Sequence, residues 1–191
     1  MDRFVCSVDT GALMEEIARL RGEVAQLESR VEELDRAAHH DALVPIANRR
    51  GLVRQLEMLI ARRERHNIAA ALLFVDVDGL KSLNDSFGHA TGDAALIYLA
   101  ELMVGEVRQT DLVARLGGDE FAILLDHADE AAAMDTANRL VNAVADSDFI
   151  HHGQPLPLSV AIGITAIEKG DTAEAVLDRA DQEMYRDKAA A

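Results

Sequence analysis

Only one cysteine, Cys6, occurs in the 191 residues. No intrachain disulfide framework can therefore brace the fold, and the composition suits a reducing compartment. Tryptophan is absent and aromatic residues make up 4%, too few for the stacking platforms that hold single-stranded nucleic acid. Positive charge is scarce: 19 Lys and Arg face 34 Asp and Glu, for a net charge of -15. That balance excludes a large nucleic-acid surface. It still permits a small anionic substrate whose phosphates are managed by a metal and a few lysines. No apolar run reaches membrane length, and Met1-Asp2-Arg3-Phe4 meets charge too soon for a signal peptide. A soluble, cytoplasmic protein with no membrane partner is expected. What is abundant is apolar content, 49%, enough for one globular core plus an appendage.

The most informative stretch is Arg115-Leu-Gly-Gly-Asp-Glu-Phe-Ala-Ile-Leu-Leu125. Val113 to Leu116 and Phe121 to Leu125 read as strands. Gly117-Gly118 between them reads as a tight hairpin, because glycine takes positive φ at no steric cost. Asp119 and Glu120 then fall at the tip. Taken alone this is an ordinary solvated turn. A core has no use for two carboxylates there, but a divalent metal and a polyphosphate do. A second acidic element points the same way. Residues 68–78 form a near-continuous apolar run, as in a strand buried on both faces, and end in Asp76 and Asp78, with Lys81 following. Strand alternation puts Asp76 and Asp78 on one face. Asp76, Asp119 and Glu120 together offer the hard oxygen ligands that suit Mg²⁺.

Earlier in the chain, Leu13, Ile17, Leu20, Val24, Leu27, Val31 and Leu34 repeat at alternating steps of four and three. β-Branched a positions with leucine at d favour a parallel two-stranded coil, so residues 13–38 are expected to dimerise the chain. Residues 1–12 carry no pattern and are expected to be unstructured or a short N-terminal segment. In a parallel pair Glu16 attracts Arg21 and Arg30 attracts Asp35, but Glu23 repels Glu28. Pro45 cannot continue the helix, and the domain proper is expected over 41–191. His39-His40 and His151-His152 lack the spacing of a metal site and read as surface. Asn48 is positioned to cap a helix running to Arg65. Further helices are expected over Leu80–Phe87, 91–107, Glu130–Ala145 and 172–189, with a last strand over 158–167. The order implies an α/β chain of the α+β sandwich kind, with a mostly antiparallel sheet flanked by helices.

These residues resemble the GGDEF domain, the diguanylate cyclase family, from about residue 41 to 188. The signature stands as Gly117-Gly118-Asp119-Glu120-Phe121. Asp76-Val77-Asp78-Gly79-Leu80-Lys81 resembles the family's Asp-x-Asp-x-Phe-Lys, and Asn84-Asp85-Ser86-Phe87-Gly88-His89 with Gly92-Asp93 resembles its Asn-Asp-x-x-Gly-His…Gly-Asp. Ser159 to Gly163 and Ala180 to Lys188 resemble its late strand and final helix. The resemblance implies a fold like the polymerase palm and the nucleotide cyclases. It also implies condensation of two GTP into cyclic di-GMP with release of two pyrophosphates, one GTP per domain of a homodimer. The implied metal ligands for Mg²⁺ (or Mn²⁺) are Asp76, Asp119, Glu120 and the Val77 carbonyl, and Glu120 is also the implied base. Lys81 and Lys188 would hold phosphates, with backbone N–H groups around Gly79 and Leu80. Gly117 and Gly118 would leave room for the nucleotide. Asn84 and Asp93, ordinary cap residues on pattern alone, would read guanine, since an aspartate accepts from N1–H and N2–H₂.

Arg108-Gln-Thr-Asp111 ends six residues before Gly117, the spacing of the family's Arg-x-x-Asp site for inhibition by cyclic di-GMP. Arg139 is a second candidate arginine there. The sequence departs from the family in two places. Val44-Pro45 replaces the usual Thr-Gly where the domain begins, which is expected to alter that turn. The family's closing Gly-Arg-Asn has no counterpart before Ala191. With the signature intact, an active, product-inhibited cyclase is expected. The alternative is an inactive module that binds GTP or cyclic di-GMP and signals through its coil. A cyclase using ATP is weighed against by Asp93. With no sensory domain before Leu13, an input is expected through the coil or a regulatory protein partner.

Overall fold

The structure, a computed structural model, describes residues 10–190 and divides into two units, one through Ala38 and one from His39 onward. Among the described residues the first holds one helix, α1 (Thr10–His39), whose last residue opens the second unit. Residues 10–12, expected to fall in an unstructured or short N-terminal segment, are helical, and the remainder of that segment, with Cys6, lies outside the described residues. All seven heptad positions, Leu13 through Leu34, are exposed on this helix, forming a continuous apolar stripe. Arg19 pairs with Glu16 at 2.7 Å and also with Glu23, each one turn away as i,i+3 and i,i+4 geometry allows. It thereby offsets part of the Glu23 charge that opposes Glu28 across a parallel pair.

The second unit is built on a five-stranded sheet ordered β1-β3-β4-β2-β7. The elements are β1 (Ala47–Asn48), α2 (Arg49–His66), β2 (Ala70–Val77), α3 (Leu80–Phe87), α4 (His89–Glu106), β3 (Leu112–Gly117), β4 (Glu120–Asp126), α5 (Glu130–Ala145), β5 (Ile150–His151), β6 (Gln154–Pro155), β7 (Val160–Ala166) and α6 (Ala173–Ala190). Every pairing in the sheet is antiparallel except β1 with β3. The strand β2 lies inside and is buried on both faces. Ala71, Leu73, Val75 and Val77 pack with residues of α4 and α5 such as Leu99 and Leu140. Ala70, Leu72 and Phe74 pack with Leu52 and Leu56 of α2 and Val176 and Ala180 of α6. Alternation of side chains along a strand produces this division.

The helices match the expected spans closely because their ends carry local signals. Asn48 caps α2, its Oδ1 accepting from Arg50 N at 2.9 Å and Gly51 N at 3.0 Å. The same amide donates to His40 O at 2.9 Å. Two short elements escaped the sequence: β1, hidden in the cap segment, and the β5–β6 hairpin in the loop around Gly153. Neither is long enough to show a period of two. The altered turn at Val44-Pro45 is held by Asp41, whose Oδ1 accepts from Leu43 N at 2.9 Å and Val44 N at 3.1 Å. Val44 and Ile46 drop into the core while Pro45 stays outside. His152 is exposed, but His151 is half-buried, stacked on Phe149 at 6.1 Å, so it is not the surface residue expected.

Helix α6 lies directly on β7 at Gly163. A Cβ there would fall 2.3 Å from both Ala180 O and Met184 N, backbone atoms that cannot swing aside. Gly163→Ala is therefore expected to lower stability by about 1–3 kcal/mol, read as a lower urea midpoint with the slope unchanged. The same helix is pinned by Arg179, which donates to Asp171 Oδ1 at 2.9 Å and Oδ2 at 2.8 Å and to Ala166 O at 2.8 Å. The Arg179 hydrogen bonds hold the Asp171 carboxyl below its ordinary value, against burial, which raises it. The folded state thus binds this proton more weakly than the unfolded chain. The resulting stabilisation is complete above the unfolded pKa of about 3.9 and is lost as pH falls through the lower folded value. Arg179→Met is expected to lower stability at neutral pH and to flatten its decline below about pH 4. Equal acid limbs in chemical denaturation of the two proteins would contradict this.

Candidate active site

The C-terminal end of β2, the β3–β4 turn and the start of α3 meet at one end of the sheet. The turn is shifted by one residue from expectation. Gly117 is the last residue of β3 and pairs with Glu120 after a bulge at Arg115/Gly117. The two-residue loop is Gly118-Asp119, so Glu120 is the first residue of β4 and not part of the tip. Gly118 has φ 55, a left-handed value that glycine supplies at the first loop position of a tight hairpin. Arg115 holds this loop, donating from Nη2 to Gly118 O at 2.8 Å, and its Nη1 reaches Asp41 Oδ1 at 3.3 Å. Sequence reasoning missed Arg115. Its signal was a cation within an apolar strand next to a glycine turn.

Register brings the carboxylates of β2 and β4 face to face. Val77 N donates to Asp119 O at 3.0 Å, which leaves Asp76 and its partner Glu120 as a pair without mutual backbone bonds. Such pairs bring their side chains closest, and like charges opposed in this way repel. Glu120 is half-buried. Burial pushes its carboxyl up from the ordinary value, and the charges of Asp119, Asp76 and Asp181 push it further, opposed by Arg49. Asp181 and Arg49 are two residues of this neighbourhood that the sequence did not single out. They come from α6 and α2, far away in the chain.

Lys188 answers the excess of negative charge. Its ammonium bonds Asp76 and lies 3.8 Å from Asp78 Oδ1. Burial lowers its proton affinity, but the Asp76 hydrogen bond and the charges of Asp76, Asp78 and Asp119 outweigh that and raise it. Asp78 lies just past the end of β2 and is fixed by Ser159, whose Oγ donates to Asp78 Oδ2 at 2.9 Å. Asp76 and Asp78 thus face one cation, as strand alternation implied. Among the described residues no three His, Cys, Asp or Glu side chains are grouped closely enough to hold a metal ion. Asp76, Asp119 and Glu120 are neighbours without forming a closed cage.

Beside them, Gly79 opens α3 at φ 67 without any side-chain cap. This left-handed start is one glycine tolerates, and the first N–H groups of α3 at Leu80 and Lys81 carry no side-chain cap, as phosphate sites at helix starts require. Lys81 is exposed on the same turn. Asn84 packs directly on Gly92, where a Cβ would come within 2.0 Å of its Oδ1. That Oδ1 is buried with no hydrogen-bond partner. Asp93, adjacent to Gly92, is exposed. The corner of α3 and α4 thus gathers an unmet acceptor and an open carboxylate near the phosphate-type helix start.

The residues of the second predicted cluster lie about the α4–β3 turn and on α5, where Arg139 is paired with Glu106. Asp111 Oδ2 accepts from Arg108 N at 2.9 Å and Oδ1 from Asp126 N at 3.1 Å, so this carboxylate shapes the turn between α4 and β3. Arg139, on α5, reaches the same corner and donates to Glu106 O at 2.7 Å. The exposed Arg108 has its side chain at the rim.

Comparison with known proteins places this geometry. Residues 38–191 match the family described as diguanylate cyclase, GGDEF domain. The chain is 37% identical over 179 residues to diguanylate cyclase DgcP of Pseudomonas aeruginosa, covering 94% of this chain and 27% of that protein. The coiled coil and GGDEF domain of DgcB from Caulobacter crescentus, solved in complex with c-di-GMP, superposes with a TM-score of 0.87 at 25% identity, over 94% of this chain and 95% of that one. Diguanylate cyclase SiaD of Pseudomonas aeruginosa, solved with its activator SiaC, gives 0.79 at 29% identity, over 94% of this chain and 69% of that one. The chain spans less than half the length of the curated relatives it matches first. With a match running from the last two residues of α1 through α6, and the Gly-Gly-Asp-Glu loop set against Asp76, the chain belongs to the GGDEF-domain family of diguanylate cyclases.

Proposed function

We propose that this chain condenses two GTP molecules into cyclic di-GMP, releasing two pyrophosphates, with one GTP carried by each of two facing domains. The observation that carries this reading is the opposed pair Asp76 and Glu120, with Asp119 on the adjoining loop, next to the uncapped start of α3. In each step a ribose 3′-oxygen bonds to an α-phosphorus, the bond to the pyrophosphate oxygen breaks, and the hydroxyl proton leaves. The uncapped N–H groups of Leu80 and Lys81, with the Lys81 ammonium, orient the triphosphate. Asp93 accepts from guanine N1–H and N2–H₂, which adenine cannot match, and Asn84 supplies its unmet Oδ1 as a further acceptor. Glu120 stands where the attacking hydroxyl must lose its proton.

A divalent metal fits this donor set. Carboxylates crowded enough to raise Glu120 and to draw Lys188 onto Asp76 are short of positive charge, and hard oxygens suit Mg²⁺ or Mn²⁺. Asp76, Asp119, Glu120 and the Val77 carbonyl would hold it. When bound, such an ion lowers the pKa of the hydroxyl and neutralises charge at the phosphate.

The exposed stripe of α1 supports a parallel homodimer. Tethering two domains raises their effective concentration to roughly millimolar, which favours the meeting of two half-sites. The relative SiaD is bound by an activator, and a protein partner acting on the coil fits a chain whose helix carries the imperfect Glu23/Glu28 pairing. At the α4–β3 corner, Arg108 and Arg139 would grip cyclic di-GMP for product inhibition. Asp111 uses two of about four lone-pair positions, one on Arg108 N of its own turn and one on Asp126 N of β4, and keeps the others for guanine donors.

Two outcomes test this reading. Glu120→Gln is expected to cut cyclic di-GMP formation from GTP and Mg²⁺ at least about 100-fold, measured by chromatography of products. A wild-type dimer that yields none under varied metal and GTP would sink the proposal. Leu20→Asp with Leu27→Asp is expected to give monomers in sedimentation and to lose most activity at micromolar protein.

A further inference from the structure

The helix α2 concentrates positive charge in an acidic chain. Arg49, Arg50, Arg54, Arg62, Arg63 and Arg65 all lie on it, against a net charge of -15. The first three open into a cleft of about 530 Å³ lined by His39, Arg49, Arg50, Val53, Arg54 and Glu57. One carboxylate faces three guanidinium groups there. All three arginines are exposed, and Arg49 and Arg50 hold no ion pair among the described residues. Val53 gives the cleft an apolar floor.

Its position relative to the carboxylates follows from the sheet. Strand β1 runs parallel to β3 with Asn48 opposite Arg115, so Arg49 emerges at the sheet end where β3 turns into the Gly118-Asp119 loop. Arg115 anchors that loop through Gly118 O. The Arg49 charge reaches Glu120, the sole influence among those on Glu120 that opposes the rise of its proton affinity. Glu120, Asp76, Asp119 and Asp181 would repel a nucleotide bearing a polyphosphate, and Lys188 is already engaged by Asp76 and Asp78. A wall of guanidinium groups beside the loop adds to the attraction of Lys81 and the α3 start, since arginine forks match phosphate oxygens two at a time.

We propose that the cleft of Arg49, Arg50 and Arg54 is a polyphosphate-binding subsite adjoining the carboxylate hairpin, separate from the α3 start, with Arg49 the residue nearest the reacting groups. The inference rests on the cyclase reading for its role in turnover but not for its ligand chemistry, which pyrophosphate binding reads directly. Two sources offer that chemistry, the tail of GTP and the pyrophosphate released.

The test is calorimetric titration of the full chain with inorganic pyrophosphate and with GTP, both in EDTA, followed by turnover in Mg²⁺. Arg49→Ala with Arg54→Ala is expected to weaken binding of the anion roughly 10-fold or more. It is also expected to raise the KM for GTP by a similar factor, with kcat falling less than about threefold. Arg49→Lys should recover part of the affinity, because it keeps the charge and loses the fork. Arg65→Ala, at the far end of α2, should bind pyrophosphate as wild type does. Should the double variant unfold, Arg49→Gln at its exposed position carries the same expectation. Weakening of both ligands assigns the cleft to the nucleotide tail, and weakening of pyrophosphate alone assigns it to the released product. Unchanged affinity for both overturns the subsite. A wild-type chain that binds pyrophosphate through these arginines yet forms no cyclic di-GMP would defeat the cyclase reading and leave the subsite standing.

Discussion

The antiparallel register of β2 against β4 is the constraint on which the site depends. It sets Asp76 opposite Glu120 at a position where strands bring side chains closest. A slip of one residue would exchange the two buried faces of β2, seating Ala71, Leu73 and Val75 against α2 and α6 and Leu72 and Phe74 against α4 and α5, so the fit of each face to its own helices holds the register. The core therefore sets the spacing of the carboxylates. It brings together two like charges that no isolated hairpin would tolerate, and the burial that stabilises the strands is what raises the proton affinity of Glu120.

Charge at this end of the sheet is balanced by residues from distant parts of the chain. Lys188 comes from α6, Arg49 from α2 and Arg115 from β3. Each helix docks through small residues that allow close approach: Gly163 beneath Ala180 and Met184, and Gly51 beneath His39 O and Ala47. Packing errors at those glycines would displace the cations, so the electrostatics of the site rest on steric fit some distance from it.

The fold was legible in the sequence wherever an element is long or capped. Asn48 marked the start of α2, and the unbroken run before Asp76 the strand buried on both faces. The core motifs of the site were legible too, because the signature, Asp76 and the Asn84…Asp93 spacing are local in sequence. The short strands β1 and β5–β6 show no periodicity, and they were missed. The placement of Glu120 on a strand was missed because the bulge at Arg115/Gly117 shifts the loop by one residue, and a bulge leaves no compositional trace. Arg49, Arg115 and Asp181 were missed since their roles arise from tertiary placement alone. That Asp76 holds Lys188 was likewise invisible, because an ion pair across 112 residues is a product of the fold.

The two-residue strand β1 has a consequence for how the sheet meets its surroundings. It covers one edge of the sheet, lying along β3 and held there by the Asn48 cap and the Asp41–Arg115 bond. Without residues 39–48, the outer edge of β3 would lose its partner at Ala114 and Arg115, extending the unpaired backbone edge along which chains stack into aggregates. The short segment ahead of α2 thus acts as a guard against self-association, and a fragment begun at Arg49 would trade solubility for brevity.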